Sequence, residues 1–280
     1  RPRKILFKGE KNASRMGKRI PLSGVTAVFS HKKTGLEVEW TVSLGMDANY
    51  FQQSALIRSR KKSFPLKKIV MMNAVIKGAE MSGKIQGLPI VTKDMFFGVE
   101  YPMCESVVNT GRVRCSLLRE MPLKKNDEYR CSFVAGVCRK GQLRRGFMHY
   151  LERERAHPYR TFLHYNSWYD IGYFSKYSEA DCLDVLESYG RELVKKRNTK
   201  LDSCLFDDGW DEPRTLWAFH KGFLKGFKPV SERCGKFGHD MGVWLSPWGG
   251  YGNPRIQRVK FGTEQGYEIY KGRKKYDNVF

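Results

Sequence analysis

Three short apolar runs in the second half of the chain each stop abruptly in a polar, aromatic cluster, and they recur at nearly regular intervals. Phe162-Leu163-His164-Tyr165 leads into Asn166-Ser167-Trp168. Residues 201–206 lead into Asp207-Asp208-Gly209-Trp210-Asp211. Met241-Gly242-Val243 leads into Trp244-Leu245-Ser246-Pro247-Trp248. Trp168 and Asp208 are 40 residues apart, and Asp208 and Trp244 are 36 apart. That interval fits a strand, a crossover helix and the return to the next parallel strand. The stretches between the runs have helical signals. Ser178 with Asp181 three residues on reads as a capping box, and Leu183, Leu186, Leu193 and Val194 give a buried face. Further helices are expected over 214–223, 230–237 and 254–265. A doubly wound nucleotide-binding sheet is the rival fold, but its glycine fingerprint is missing. Gly249-Gly250-Tyr251-Gly252 is rich in glycine without the required spacing.

The first 140 residues follow a different rule. Leu36, Val38, Trp40, Val42 and Leu44 alternate with Glu37, Glu39, Thr41 and Ser43, the period of two of a half-buried strand. Shorter strand candidates lie at 69–72, 95–99 and 131–134, separated by Gly, Pro and Lys-Asn-Asp clusters, and no helical period competes with them before residue 141. This pattern predicts an antiparallel β-sandwich. From Gln142 to Arg155, Leu143, Phe147, Tyr150 and Leu151 share one helical face, and His157-Pro158 ends the helix. The expected organisation is a sandwich over 1–140, a helical linker over 141–160, and the opening three or so βα units of a (β/α)8 TIM-type barrel over 161–280. A complete barrel takes about 250 residues, so the barrel is expected to be incomplete and the chain truncated at its C-terminus.

Charge narrows the partners. The net charge of +22 is concentrated in the first half, where residues 1–150 have 29 Lys and Arg against 11 Asp and Glu. The basic residues come as scattered pairs and do not form one helix face, so a basic scaffold surface accounts for them better than a nucleic-acid site, and polyanion binding is the third-ranked expectation. No apolar run approaches a membrane helix, so no membrane partner is expected. The seven cysteines form no CxxC pair and the histidines lack metal spacing. Free thiols in a reducing compartment are expected.

The three strand ends carry the candidate chemistry. In a barrel, side chains at the C-terminal ends of the strands build the site. Carboxylates accept hydrogen bonds from hydroxyls, and indole rings cover the apolar face of a sugar. Adjacent strand residues point to opposite faces, so one of Asp207 and Asp208 should face the barrel axis while the other leans into the loop. That suits binding better than a catalytic pair spanning one bond. His164 is expected inside the barrel, and His220 and His239 are given no role. Ser246 and Cys204 lack a histidine partner, which leaves nucleophilic catalysis unsupported.

Asn166-Ser167-Trp168, Leu205-Phe206-Asp207-Asp208-Gly209-Trp210 and Gly242-Val243-Trp244-Leu245-Ser246-Pro247 together resemble the α-galactosidase clan of glycoside hydrolases, in particular glycoside hydrolase family 36. The resemblance implies a sandwich followed by a barrel, retaining hydrolysis of α-linked sugars, a carbohydrate partner and no metal or organic cofactor. It implies that Asp207 and Asp208 bind sugar hydroxyls, with Trp168 and Trp244 as the aromatics of strands one and three. Asn166, Trp210 and Trp248 complete the expected substrate-binding set. The family's nucleophile ends strand four and its acid/base ends strand six, both expected beyond Phe280. Lys275-Tyr276-Asp277 superficially matches the nucleophile motif, which makes Asp277 a weak candidate because no apolar strand precedes it. The family usually has an acid near the position of Pro247, where this chain continues Trp248-Gly249-Gly250, so another sugar than galactose is open. The alternative is a non-catalytic carbohydrate-binding protein.

Overall fold

The computed structural model describes residues 2–119, 121–172 and 175–267. It divides into two compact units, Arg1–Tyr159 and Arg160–Phe280.

The first unit is two antiparallel sheets packed face to face. Its elements are β1 (Arg3–Phe7), a single turn α1 (Met16–Arg19), β2 (Leu22–His31), β3 (Leu36–Gly45), β4 (Tyr50–Ser59), β5 (Lys68–Val75), β6 (Glu80–Met81), β7 (Ile90–Val91), β8 (Met95–Val99), β9 (Glu105–Asn109), β10 (Arg112–Leu118), β11 (Glu128–Val137) and α2 (Leu143–Glu154). The larger sheet runs β1-β2-β3-β4-β11-β8-β7-β6 and the smaller one β5-β10-β9. Alternation decides which side chains meet between them. Ala55 and Ile57 of β4 and Phe133 and Ala135 of β11 face Ile69 and Met71 of β5 and Val113, Cys115 and Leu117 of β10. The period-two pattern read for residues 36–44 is the strand β3.

The helix expected to link the two parts packs onto the first unit instead. Tyr150 of α2 sits 5.0 Å from the Tyr50 ring and 5.5 Å from that of Phe96. Its hydroxyl donates to Glu100 at 2.6 Å, while the Tyr50 hydroxyl donates to Glu154 at 2.6 Å. Burial, together with these carboxylates, raises the pKa of both phenols, that of Tyr50 more modestly.

Among the described residues the second unit holds three parallel strands, β12 (His164–Asn166), β13 (Ser203–Phe206) and β14 (Asp240–Val243), adjacent in that order. Asn166 is level with Leu205, which is level with Gly242. The crossovers are helical: α3 (Glu179–Tyr189) continues into a π-helical stretch, Gly190–Lys195, and α4 (Lys228–Lys236) precedes β14, with α5 (Gly252–Glu264) following it. Ser178 caps α3 through the reciprocal bonds with Asp181 anticipated from sequence. Tyr165, Cys204 and Phe206 project from one sheet face into a core with Cys182, Leu186, Val230 and Cys234. The opposite face carries His164, Asn166 and Leu205, of which the first two are exposed.

One expected helix is absent. Residues 214–223 form a folded-back loop, where Glu212 N–H donates to the Ala218 carbonyl and Asp211 bridges to Phe219. Trp217 has φ +62°, a left-handed conformation that interrupts a helix. The seven cysteines are all buried and unbridged. No helix among the described residues is long and apolar enough to cross a membrane.

Phe206 is fully buried and makes ring contacts with Tyr165, Tyr177 and Phe227. Truncation to alanine leaves a ring-sized void. Phe206→Ala is therefore expected to cost about 3–5 kcal/mol, measured as a fall in the denaturant midpoint of the full chain.

Candidate functional site

The ends of β12, β13 and β14 meet around Asp207 and Asp208, and the two neighbours have separate surroundings. Asp207 continues the alternation of β13, in which Cys204 and Phe206 point into the core, so its side chain emerges on the opposite face. There Asn166 of the adjacent strand donates to Asp207 Oδ2 at 3.1 Å. Asn166 is itself oriented by the Trp168 N–H, which donates to its Oδ1 at 2.8 Å. Buried Ser167 accepts the Asp207 N–H at 2.8 Å, and the Asp208 N–H closes onto Asp207 Oδ1 at 2.8 Å. The Asp207 carboxylate is thus fixed by two donors and retains lone pairs for a ligand hydroxyl.

Asp208 turns the other way, onto a buried cation. Arg258 of α5 is fully buried. It donates to Asp208 Oδ1 at 2.9 Å, to Asp211 Oδ1 at 2.6 Å and Oδ2 at 2.9 Å, and to the Gly249 carbonyl at 2.9 Å. Its guanidinium lies 4.4 Å from the centre of the Trp217 ring and 5.9 Å from that of Trp244. Burial alone would weaken this charge, but Asp211 and then Asp208 outweigh it, and the Arg258 pKa is raised. Asp208 Oδ2 has no partner among the described residues.

Glycine is required at two points here. Gly209 has φ +124°, and a Cβ there would lie 2.6 Å from the Ser175 carbonyl oxygen. At Gly250, φ is +89° and a Cβ would meet Arg258 Nη1 at 2.7 Å. His220 secures the same loop. Its Nδ1 accepts the Gly222 N–H at 2.9 Å, which leaves Nε2 protonated to donate to the Tyr177 carbonyl at 2.9 Å and the Gly209 carbonyl at 3.2 Å.

A cavity of about 700 Å³ opens beside Asp208. Trp168, Lys176, Pro213, Tyr251, Asn253 and Pro254 are among its walls. Lys176 is held by Glu212 at 2.9 Å, and Arg214 and Lys176 together pull the Glu212 pKa down to about 2.

The expected site residues therefore separate. Asn166, Asp207 and Asp208 come together, and Trp168 lines the cavity. Trp244 is half-buried against the Arg258 cage. Trp248 stands edge-on to Tyr251 at 6.3 Å. Trp210 does not fit the expected role. It is 4% exposed, stacks on Trp217 at 6.1 Å and packs against Phe219 and Phe227. Its indole N–H goes to the Trp244 carbonyl at 3.2 Å. Trp210 is core, because Gly209 turns the chain inward immediately before it. Asp277 lies outside the described residues. Sequence reasoning missed Arg258, Asp211 and His220. Asp211 was visible as the third acid of its cluster, but nothing in the sequence marked which arginine would be buried against it. Among the described residues no cluster of His, Cys, Asp and Glu could hold a metal ion.

No family model matches the chain, and no curated protein matches it. Solved structures do. The GH36 α-galactosidase AgaA from Geobacillus stearothermophilus, in complex with stachyose, superposes with a TM-score of 0.58 at 12% identity, covering 100% of this chain and 48% of that one. AgaA without a named ligand gives 0.57 at 12% identity over the same shares. The α-galactosidase from Lactobacillus brevis gives 0.58 at 12% identity, covering 100% of this chain and 46% of that one. The chain thus has a glycoside hydrolase-like fold of the GH36 type, and it spans about half the length of these structures.

Removing the Arg258 charge strands Asp211 in the protein interior and leaves half-buried Asp208 without its cation. Arg258→Met is expected to cost about 3–5 kcal/mol, read from denaturant unfolding of the full chain. Asp211→Asn in the same background should recover part of that loss, because it removes the stranded charge.

Proposed function

We propose that the second unit is the opening part of a (β/α)8 barrel and that its strand ends grip a sugar in a glycoside hydrolase acting on α-linked substrates. One observation carries this reading: Asp207 is pre-positioned on the open sheet face by Asn166 of the neighbouring strand, with Asp208 beside it. Two adjacent carboxylates in fixed and different orientations can accept hydrogen bonds from two hydroxyls of one ring, whose vicinal oxygens diverge in the same way. Closure of the sheet by further strands would make the face of His164, Asn166 and Leu205 a barrel interior.

The fold relatives support the substrate class. AgaA and its kin are α-galactosidases, one of them in complex with stachyose. Shared fold does not fix the sugar, and Pro247-Trp248-Gly249 departs from the family pattern at the third strand end. Asp207 and Asp208 bind rather than react in this reading. Both Asp207 oxygens already accept protein N–H bonds, and Asp208 is paired with a buried cation, so neither matches a paired nucleophile and acid/base. A retaining reaction would draw those two groups from further strands of the barrel.

Binding is the direct test. Titration of the full chain with raffinose by calorimetry should give saturable heat. Asp207→Ala should remove it with little change in melting temperature, because the side chain faces away from the core. An Asp207→Ala protein that binds raffinose as well as the parent would sink this assignment.

A further inference from the structure

We propose that the first unit pairs with a second copy of this chain through an apolar overhang of its larger sheet, each copy covering the other. The pairing is independent of the carbohydrate reading of the second unit.

Register defines the overhang. Directly opposed residues of an antiparallel pair point to the same face. Ala55 and Ile57 of β4 face the sandwich core. Trp40 and Val38 of β3 are level with them, and Ala27 and Phe29 of β2 are level with Trp40 and Val38. Val42 with Val25, and Leu44 with Phe51, continue the same face, and Leu6 of β1 joins it through Ser23. The smaller sheet covers only part of this surface. β9 lies against β6 and β7, β10 lies against β8, and Met71 of β5 accepts from Gln53 of β4 at 3.1 Å. β5 is therefore the last strand of that layer, and β1, β2 and most of β3 project beyond it. Leu6 is 86% exposed, Phe29 59% and Leu44 50%. Val25 and Phe51 are exposed as well. A contiguous apolar patch of this kind marks a contact surface.

Shape selects the occupant. Packed sheets lie about 10 Å apart, so the smaller sheet stands about 10 Å proud of the overhang and keeps a flat bilayer or a broad protein surface away from it. What fits beside β5 is a slab one sheet thick with an apolar face. The overhang of a second copy is such a slab. A two-fold axis along the strands lays β2 on its counterpart and β1 on the partner's β3, and it brings each overhang up to the β5 edge of the other copy. Such a contact is isologous and closes at two copies. Three strands about 4.8 Å apart and about 30 Å long give roughly 450 Å² of flat footprint on each copy, which brings the two together to about the 1,000 Å² that a specific interface needs.

Charge sets the salt dependence. On the overhanging face of β1, β2 and β3 the ionisable residues are Lys4, on the edge strand, and His31, at the end of β2. Glu37 and Glu39 point to the opposite face, where Arg58 binds both. Elsewhere each copy is strongly basic, so two copies repel at long range, and salt screens that repulsion. A dimer held by this face tightens as salt rises, whereas association through ion pairs loosens.

Sedimentation velocity of the full chain, over a range of concentrations at low and high sodium chloride, should show a monomer–dimer equilibrium that shifts to dimer at high salt. Phe29→Glu and Leu44→Glu each place an unpaired charge in the contact and are expected to raise the dimer dissociation constant about a hundredfold, with the circular dichroism spectrum of the parent. Val28→Glu alters an exposed neighbour on the opposite face of β2 and should leave the dimer intact. A chain that stays monomeric at high concentration and high salt would overturn the proposal. An assembly undiminished in Phe29→Glu, or one that Val28→Glu breaks equally, would overturn it too.

Discussion

The buried guanidinium of Arg258 is the constraint on which the second unit depends. Taking an arginine fully out of water costs several kcal/mol unless nearly every N–H is paired. Here two carboxylates and a carbonyl from the loops after β13 and β14 supply that pairing, and Trp217 and Trp244 flank the plane. The arrangement ties α5 to the loop after β13, which is remote in sequence, and to the loop that leads into the helix itself. It explains the geometry around it: Gly250 must leave room for the guanidinium, and Trp217 takes a left-handed backbone, at a cost of about 1–3 kcal/mol, to reach it.

From that pairing follows the division of labour between two adjacent acids. Alternation along β13 places Asp207 on the open face, and Arg258 draws Asp208 into the loop side. A pair equivalent in sequence becomes one carboxylate fixed by amide donors and one fixed by a cation. Both carboxylates are held by hydrogen bonds before any ligand arrives, which lowers the ordering entropy lost on binding.

The first unit rests on ordinary sandwich physics. Two sheets bury alternate residues against each other, and α2 seals the remaining face around Phe96 and Tyr50. The basic charge is spread over this unit, where residues 1–159 have 31 Lys and Arg against 13 Asp and Glu. Several of its acids sit in shared pairs, such as Glu37 with Arg58 and Arg60. Pairing of this kind is a surface feature and contributes little to stability.

Much of the local structure was legible because it obeys short-range rules. The alternation of residues 36–44 determined β3, the Ser178–Asp181 spacing determined the start of α3, and the polar stops after three apolar runs located the strand ends with Asn166, Asp207 and Asp208 among them. Tertiary structure decided what depends on partners distant in sequence. Trp210 reads as a platform for a sugar, yet the turn at Gly209 buries it. Residues 214–223 read as helix, yet the loop folds back to bring Trp217 over Arg258. Arg258 itself is one arginine among many until the chain closes around it. Periodicity and capping are properties of neighbours along the chain, whereas burial of a charge is a property of the whole fold.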